Sequence, residues 1–202
     1  MRASRVFRML FRIFIALLTL SVTIVSILGG MSAVMILTNQ ENIGFDDANR
    51  EFNMGFDFTS GVLLDANFTQ PFNITNAGYF DIENFQLRVE LAMNYSHVNY
   101  TRGVEDPTPG VNGTKTIKIF EKSQYFGNVL KGSTGYFNFT GLSSDFFTGV
   151  YPNITEIDIF KPSPLFEFYA NFTISLDYSL GMHSIVINLR NWLVYEIDSI
   201  IP

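Results

Sequence analysis

Residues 85–95 read FQLRVELAMNY, and every second one is apolar: Phe85, Leu87, Val89, Leu91, Met93 and Tyr95 alternate with Gln86, Arg88, Glu90, Ala92 and Asn94. Successive side chains of a strand turn to opposite faces, so this stretch predicts a strand with one dry side and one wet side. The same period recurs on both flanks. Phe52, Met54, Phe56 and Phe58 alternate with Asn53, Gly55, Asp57 and Thr59, while Phe68, Phe72 and Ile74 share a face opposite Asn67, Thr69, Pro71, Asn73 and Thr75. Ile117 and Ile119, then Phe137 and Phe139, then alternate residues over 166–178 repeat the pattern, and two runs at 183–190 and 192–197 close the chain. Turn-forming clusters at 106–110, 112–113 and 131–133 separate these segments. The pattern predicts an all-β domain of seven or eight strands, an antiparallel two-sheet sandwich with the 21 Phe filling much of its core. Short helical turns are open near 120–130 and 143–147.

Upstream of the strands the sequence is of another kind. Arg2, Arg5, Arg8 and Arg12 precede a run at 13–37 that holds no charge and no proline, and every Asp and Glu falls at or after Glu41. At ~1.5 Å per residue the run makes a helix of roughly 37 Å, longer than a ~30 Å hydrocarbon core. The reading is a basic cytoplasmic tail at 1–12, a transmembrane helix at 13–38, a juxtamembrane linker at 39–50 and an extracytoplasmic domain at 51–202. The arginine-rich flank places the N-terminus in the cytoplasm of the plasma membrane and the domain outside. A cleaved signal peptide ending near Gly29 to Ala33 is the rival, but the apolar run continues through Val34, Met35, Ile36 and Leu37. Within the span, Ser26, Gly29, Gly30 and Ala33 set small residues three and four apart, a face on which a second helix can pack and a homo-oligomer can form.

The segment Asn76-Ala77-Gly78-Tyr79-Phe80-Asp81-Ile82, set between Asn73-Ile74-Thr75 and a strand of the form Leu87-Arg88-Val89-Glu90-Leu91, resembles the hallmark of the late embryogenesis abundant type 2 domain, also called the water-stress and hypersensitive-response domain. Asn76 matches the first Asn of that family's Asn-Pro-Asn turn, with Ala77 in place of Pro and Gly78 in place of the second Asn. The resemblance implies an immunoglobulin-like β-sandwich, and it implies the layout of basic tail, single span and outer domain known in plant members. Asn76 and Gly78 are then the turn of the fold motif; glycine would serve there by taking a positive φ. The family transfers no catalytic site.

Chemistry is sparse. The chain has no Cys, which excludes disulfides, thiolate metal sites and a cysteine nucleophile. His97 and His183 each stand alone in their segments, and no phosphate loop, nucleophile elbow, zinc helix or calcium loop is present. The nearest acid pairs, Asp46-Asp47, Glu105-Asp106 and Glu156 with Asp158, sit in polar or strand-edge contexts. No catalytic residue, cofactor or metal ion is expected. Residues from 41 onward carry a charge of −10, against +4 in the first twelve, so nucleic acid is not a partner of the domain.

What the sequence has in excess is Asn-x-Ser/Thr. Asn67, Asn73, Asn94, Asn99, Asn112, Asn138, Asn153 and Asn171 each head such a triplet with no Pro between. With 17 Asn, and about 15% of the chain Ser or Thr, chance gives roughly two or three. All eight lie on the side of the membrane where N-glycosylation occurs. The expectation is a non-enzymatic, single-pass cell-surface protein whose acidic, N-glycosylated sandwich serves interaction, envelope structure or stress protection. Its Cys-free, sequon-rich composition would suit an archaeal surface. The alternatives are an accessory subunit of a larger membrane complex, with other membrane or envelope proteins as partners, and a sandwich that binds lipid or a small molecule.

Overall fold

The computed structural model describes residues 3–57, 59–97, 113–152, 154–157, 166–178, 181 and 183–197. Among the described residues, one helix, α1 (Ala3–Thr38), precedes eight strands: β1 (Ile43–Phe45), β2 (Glu51–Asp57), β3 (Val62–Thr75), β4 (Ile82–His97), β5 (Gly113–Val129), β6 (Thr134–Leu142), β7 (Phe166–Tyr178) and β8 (His183–Ile197).

All pairing is antiparallel and falls into two sheets. In the first, β3 is central: β6 lines one of its edges from Asn67 to Thr75, while the other edge is divided between β2, opposite residues 62–69, and β1, opposite 72–74. The second sheet has the order β5-β4-β7-β8. The alternation read at 85–95 is realised in β4, where Phe85, Leu87, Val89, Leu91 and Met93 have no exposed surface. Strand β7 buries every second residue from Phe166 to Tyr178. Aromatic rings join the two inner faces: Phe45 lies 4.6 Å from Phe172, Phe52 5.0 Å from Phe168, and Phe72 5.8 Å from Phe85. Each fully buried ring contributes roughly 1.5–3 kcal/mol of transfer free energy, so the Phe-rich faces hold a disulfide-free domain together.

Several local expectations are corrected. Residues 39–50 are no linker, because Gln40–Asn42 form a 3-10 turn and β1 joins the first sheet beside β3. Helix α1 ends where the Asn42 amide donates to the Met35 and Ile36 carbonyls at 3.0 and 3.3 Å, giving partners to carbonyls that the last turn leaves open. The stretch 120–129 is strand, not a helical turn. A bulge at that point, where pairing passes from Ala92 with Lys118 to Leu91 with Phe120, turns both Ile119 and Phe120 inward and breaks the period of two. The two closing runs are a single strand, β8, continued through Asn191 in a left-handed conformation at φ 59°. A 3-10 turn does occur at Ser143–Asp145. The Pro-rich turn at 106–110 lies outside the described residues.

Candidate functional site

Two features stand out: the junction of helix and sheets, and the outer faces that carry the sequons. At the junction, Asn76 is fully buried and bonded through every polar group. Its Nδ2 donates to the carbonyls of Phe80 (2.8 Å) and Val129 (3.0 Å), and its Oδ1 accepts from the Gly78 N–H (3.1 Å) and the Tyr178 hydroxyl (3.3 Å). Its backbone bonds Ser133 and Gly132 in the β5–β6 turn. Asn76 thus ties β3, β5, β6 and β7 at one end of the domain.

Gly78 is required there for space, not for a positive φ. A Cβ on it would lie 1.8 Å from the Tyr178 hydroxyl and 2.9 Å from the Ser32 Cβ, and Gly78 is absent from the residues with positive φ. The next two backbone N–H groups reach outward: Tyr79 donates to Ser32 Oγ and Phe80 to the Tyr178 hydroxyl, both at 2.9 Å. Ser32 Oγ itself donates to the Leu28 carbonyl at 2.8 Å. The turn is therefore a socket for α1: Ser32 is buried against it, and Ile36, one helical turn further on, is buried in the core.

The socket divides the small-residue face of the helix. Gly29 is buried and Ala33 half-buried within the chain itself, whereas Ser26 and Gly30 are exposed, with nothing within 4 Å of a Cβ built on Gly30. On the other side, Met31, Val34 and Leu37 remain exposed and apolar. Sequence reasoning missed Ser32 and Tyr178, since their partners lie 47 and about 100 residues away in the chain.

Five of the eight sequon asparagines are described: Asn67 and Asn73 on β3, Asn94 on β4, Asn138 on β6 and Asn171 on β7. Asn99, Asn112 and Asn153 lie outside the described residues. All five alternate with core residues and so occupy the outer faces. Asn138 is exposed and the other four are half-buried. The Asn94 Oδ1 accepts from the Thr116 hydroxyl at 2.6 Å, and the Asn171 Oδ1 accepts from the Asn191 N–H at 2.9 Å. The Asn67 Oδ1 is closed off from solvent with no hydrogen-bond partner among the described residues.

Each sheet carries a shallow groove on its outer face with a tyrosine in it. On the first sheet a groove of about 310 Å³ is lined by Pro71, Asn73, Tyr136 and Asn138 among others. On the second, one of about 400 Å³ is lined by Asn94, Thr116, Tyr169, Asn171 and Asn191. Two sequon asparagines border each.

Of the acidic pairs in the sequence, Asp46 and Asp47 make local contacts. Asp46 accepts from the Asn49 side chain and backbone, which hold its carboxyl below the usual range, and Asp47 pairs with Arg50 at 3.2 Å. Arg88, Glu90, Lys118 and Glu121 form an ion-pair network on the second sheet, and Lys118 first, with Arg88, holds the Glu121 carboxyl low. His183 sits opposite Tyr178 in the β7–β8 pairing. Glu105, Asp106 and Asp158 lie outside the described residues.

Fold and faces together define an antiparallel, two-sheet β protein whose N-terminal helix, over Phe7–Thr38, is long and apolar enough to cross a membrane. No protein-family model matches the chain, and no curated protein matches it. Among solved structures it is similar to Spo0M, a sporulation control protein from Bacillus subtilis, at 14% identity and a TM-score of 0.28, over 75% of this chain and 49% of that one. The chain thus spans about half the length of that structure, and a likeness at this score carries no argument about function.

Proposed function

We propose that the chain is a non-enzymatic, single-pass cell-surface protein. Its basic N-terminal tail lies in the cytoplasm, α1 crosses the plasma membrane, and an N-glycosylated, immunoglobulin-like sandwich akin to the late embryogenesis abundant type 2 domain stands outside, serving interaction, envelope structure or stress protection. The observation that carries this reading is the placement of the sequons. All five described ones fall on outward strand positions, on both sheets, while the residues between them build the core. The junction adds a mechanical element. With Ser32 buried against the turn, Ile36 buried in the core, and Met31, Val34 and Leu37 left apolar and exposed, the domain is held close against the bilayer, not carried on a stalk. Glycopeptide mapping of the chain purified from native membranes tests the reading; bare asparagines at every sequon would overturn it.

A second reading, an accessory subunit of a larger membrane complex, is favoured by β8. This strand forms one edge of its sheet and exposes Val186 (59%), Leu193 (41%) and Tyr195 (51%). Uncovered apolar side chains along an unpaired strand edge are a usual place for a partner to add. Purification under native conditions with identification of co-purifying chains separates the two, since a stoichiometric partner is required only by the second.

A further inference from the structure

We infer that Tyr136 and Tyr169 are platforms on which the first sugar of a glycan at Asn138 and at Asn171 stacks, so that two of the sequons are structural glycan sites built into the outer faces of the sheets. The inference rests on the glycosylation reading above and names which sites it uses and how.

Because a strand repeats every two residues, positions N−2, N and N+2 of a sequon share one face at ~6.6–7 Å intervals. On β6 these are Tyr136, Asn138 and Thr140, all exposed; on β7 they are Tyr169, Asn171 and Thr173, all half-buried. Both asparagines therefore have an aromatic ring on one side and a small hydroxyl residue on the other. Tyr136 is 80% exposed, an aromatic ring left in water on a strand face. Such a ring offers an electron-rich face, and the axial C–H bonds of a pyranose offer a weakly positive apolar face that complements it. Each ring lines one of the grooves. Tyr136 lies directly across from Asn73 in the β3–β6 pairing, and Tyr169 lies across from Ala92, whose small side chain leaves the groove open toward Asn171. At Asn171 the Oδ1 is engaged by the Asn191 N–H, so Nδ2 is the atom left for the sugar.

The attachment itself is a group transfer from a lipid-linked oligosaccharide. The amide Nδ2 forms a bond to the anomeric carbon, the bond from that carbon to the lipid phosphate oxygen breaks, and the amide loses one proton while the lipid phosphate departs.

Among the other sequons described on strands, none has an aromatic residue at N−2. Two residues before Asn67, Asn73 and Asn94 stand Asp65, Pro71 and Ala92. Asn153 does follow a tyrosine at this spacing, but Tyr151 is 7% exposed and its ring stacks on Phe56 at 5.6 Å, so it offers no free face.

The test uses the full chain, made in a host whose membrane transferase modifies Asn-x-Thr. Glycopeptide mass spectrometry first reads occupancy at Asn138 and Asn171. A double-mutant cycle then combines Tyr136→Ala with Thr140→Ala, which removes the acceptor triplet, and follows denaturant unfolding. In the glycosylated chain, Tyr136→Ala should raise the unfolding equilibrium constant roughly 3- to 10-fold more than it does in the Thr140→Ala background, by analogy with aromatic pair couplings, and Tyr136→Phe should retain the coupling. Sugar protons shifted upfield by the ring, and returned by Tyr136→Ala, would be the matching NMR signature. Bare Asn138 and Asn171 would overturn the inference together with the glycosylation reading at those sites. Occupied sites with no coupling and no ring-current shift would overturn the inference alone.

Discussion

Replacing Asn76 with Ala removes one small side chain and four hydrogen bonds. In a site without exposed surface, the Phe80 and Val129 carbonyls lose the amide donor, and the Gly78 N–H and the Tyr178 hydroxyl lose their acceptor. A buried polar group left without a partner costs about 1–3 kcal/mol, but the losses do not add fully because the Tyr178 hydroxyl still accepts from the Phe80 N–H. The expected loss is therefore ~3–5 kcal/mol, against a total stability of about 5–15 kcal/mol for an ordinary domain. The chain carries its own reporter. Trp192 is the single tryptophan and lies 5.6 Å from Phe45 and 6.1 Å from Phe172, so its fluorescence reads the contact between the two sheets. Urea titrations of the full chain in detergent, wild type against Asn76→Ala, give the difference from the two midpoints. Asn76→Asp should be no better, because the second carboxylate oxygen would face the Phe80 and Val129 carbonyls. A loss below about 1 kcal/mol for Asn76→Ala would refute the view that this residue ties the junction together.

Other expectations follow from the same geometry. Gly29→Leu should destabilise the chain by about 1–3 kcal/mol through overpacking of a buried position, whereas Gly30→Leu, one residue further and exposed, should stay within about 0.5 kcal/mol in the same titration. Burial pushes the Tyr151 hydroxyl, which has no hydrogen-bond partner among the described residues, up to about 12, so Tyr151→Phe should be neutral or stabilising by up to about 1 kcal/mol in thermal melts. The Asp145 carboxyl is held below its usual value of 3.8 by the Leu142 N–H and then by Lys122 at 2.7 Å. The folded state thus binds this proton less readily than the unfolded chain. Its contribution is complete above that value and is lost as pH falls through 3.8 toward the folded pKa. Denaturation midpoints should be level from neutral to about pH 5 and fall below about pH 4 with a shallower slope in Asp145→Asn.

The parts of the fold that the sequence displays are those where one physical rule acts alone. In β7, and in β4 from Phe85 to Tyr95, a strand with one dry face leaves an unbroken period of two, and both are visible at once. Strand β5 is obscured because its bulge sets Ile119 and Phe120 side by side in the core, which mimics a helical turn. Strand β1 has only three residues and too little pattern to register, and Asn191 interrupts the alternation of β8 by taking a left-handed conformation that sequence spacing does not reveal. The sequons were legible as triplets. Tyr136 and Tyr169 were not, since their bearing on Asn138 and Asn171 appears only when alternation and exposure are known together. The socket for α1 depends on Ser32 meeting the Tyr79 N–H across 47 residues, a pairing no local pattern announces.

The orientation of the chain is the claim on which the proposed function turns, and the absence of cysteine makes it directly measurable, because one introduced thiol is the only thiol present. Ser144→Cys places it at an exposed position on the 3-10 turn after β6, and Ser4→Cys places it ahead of the apolar run. Intact cells expressing each variant are treated with a membrane-impermeant maleimide. The account predicts that Ser144→Cys is labelled at once and Ser4→Cys only after permeabilisation; the reverse pattern would contradict it.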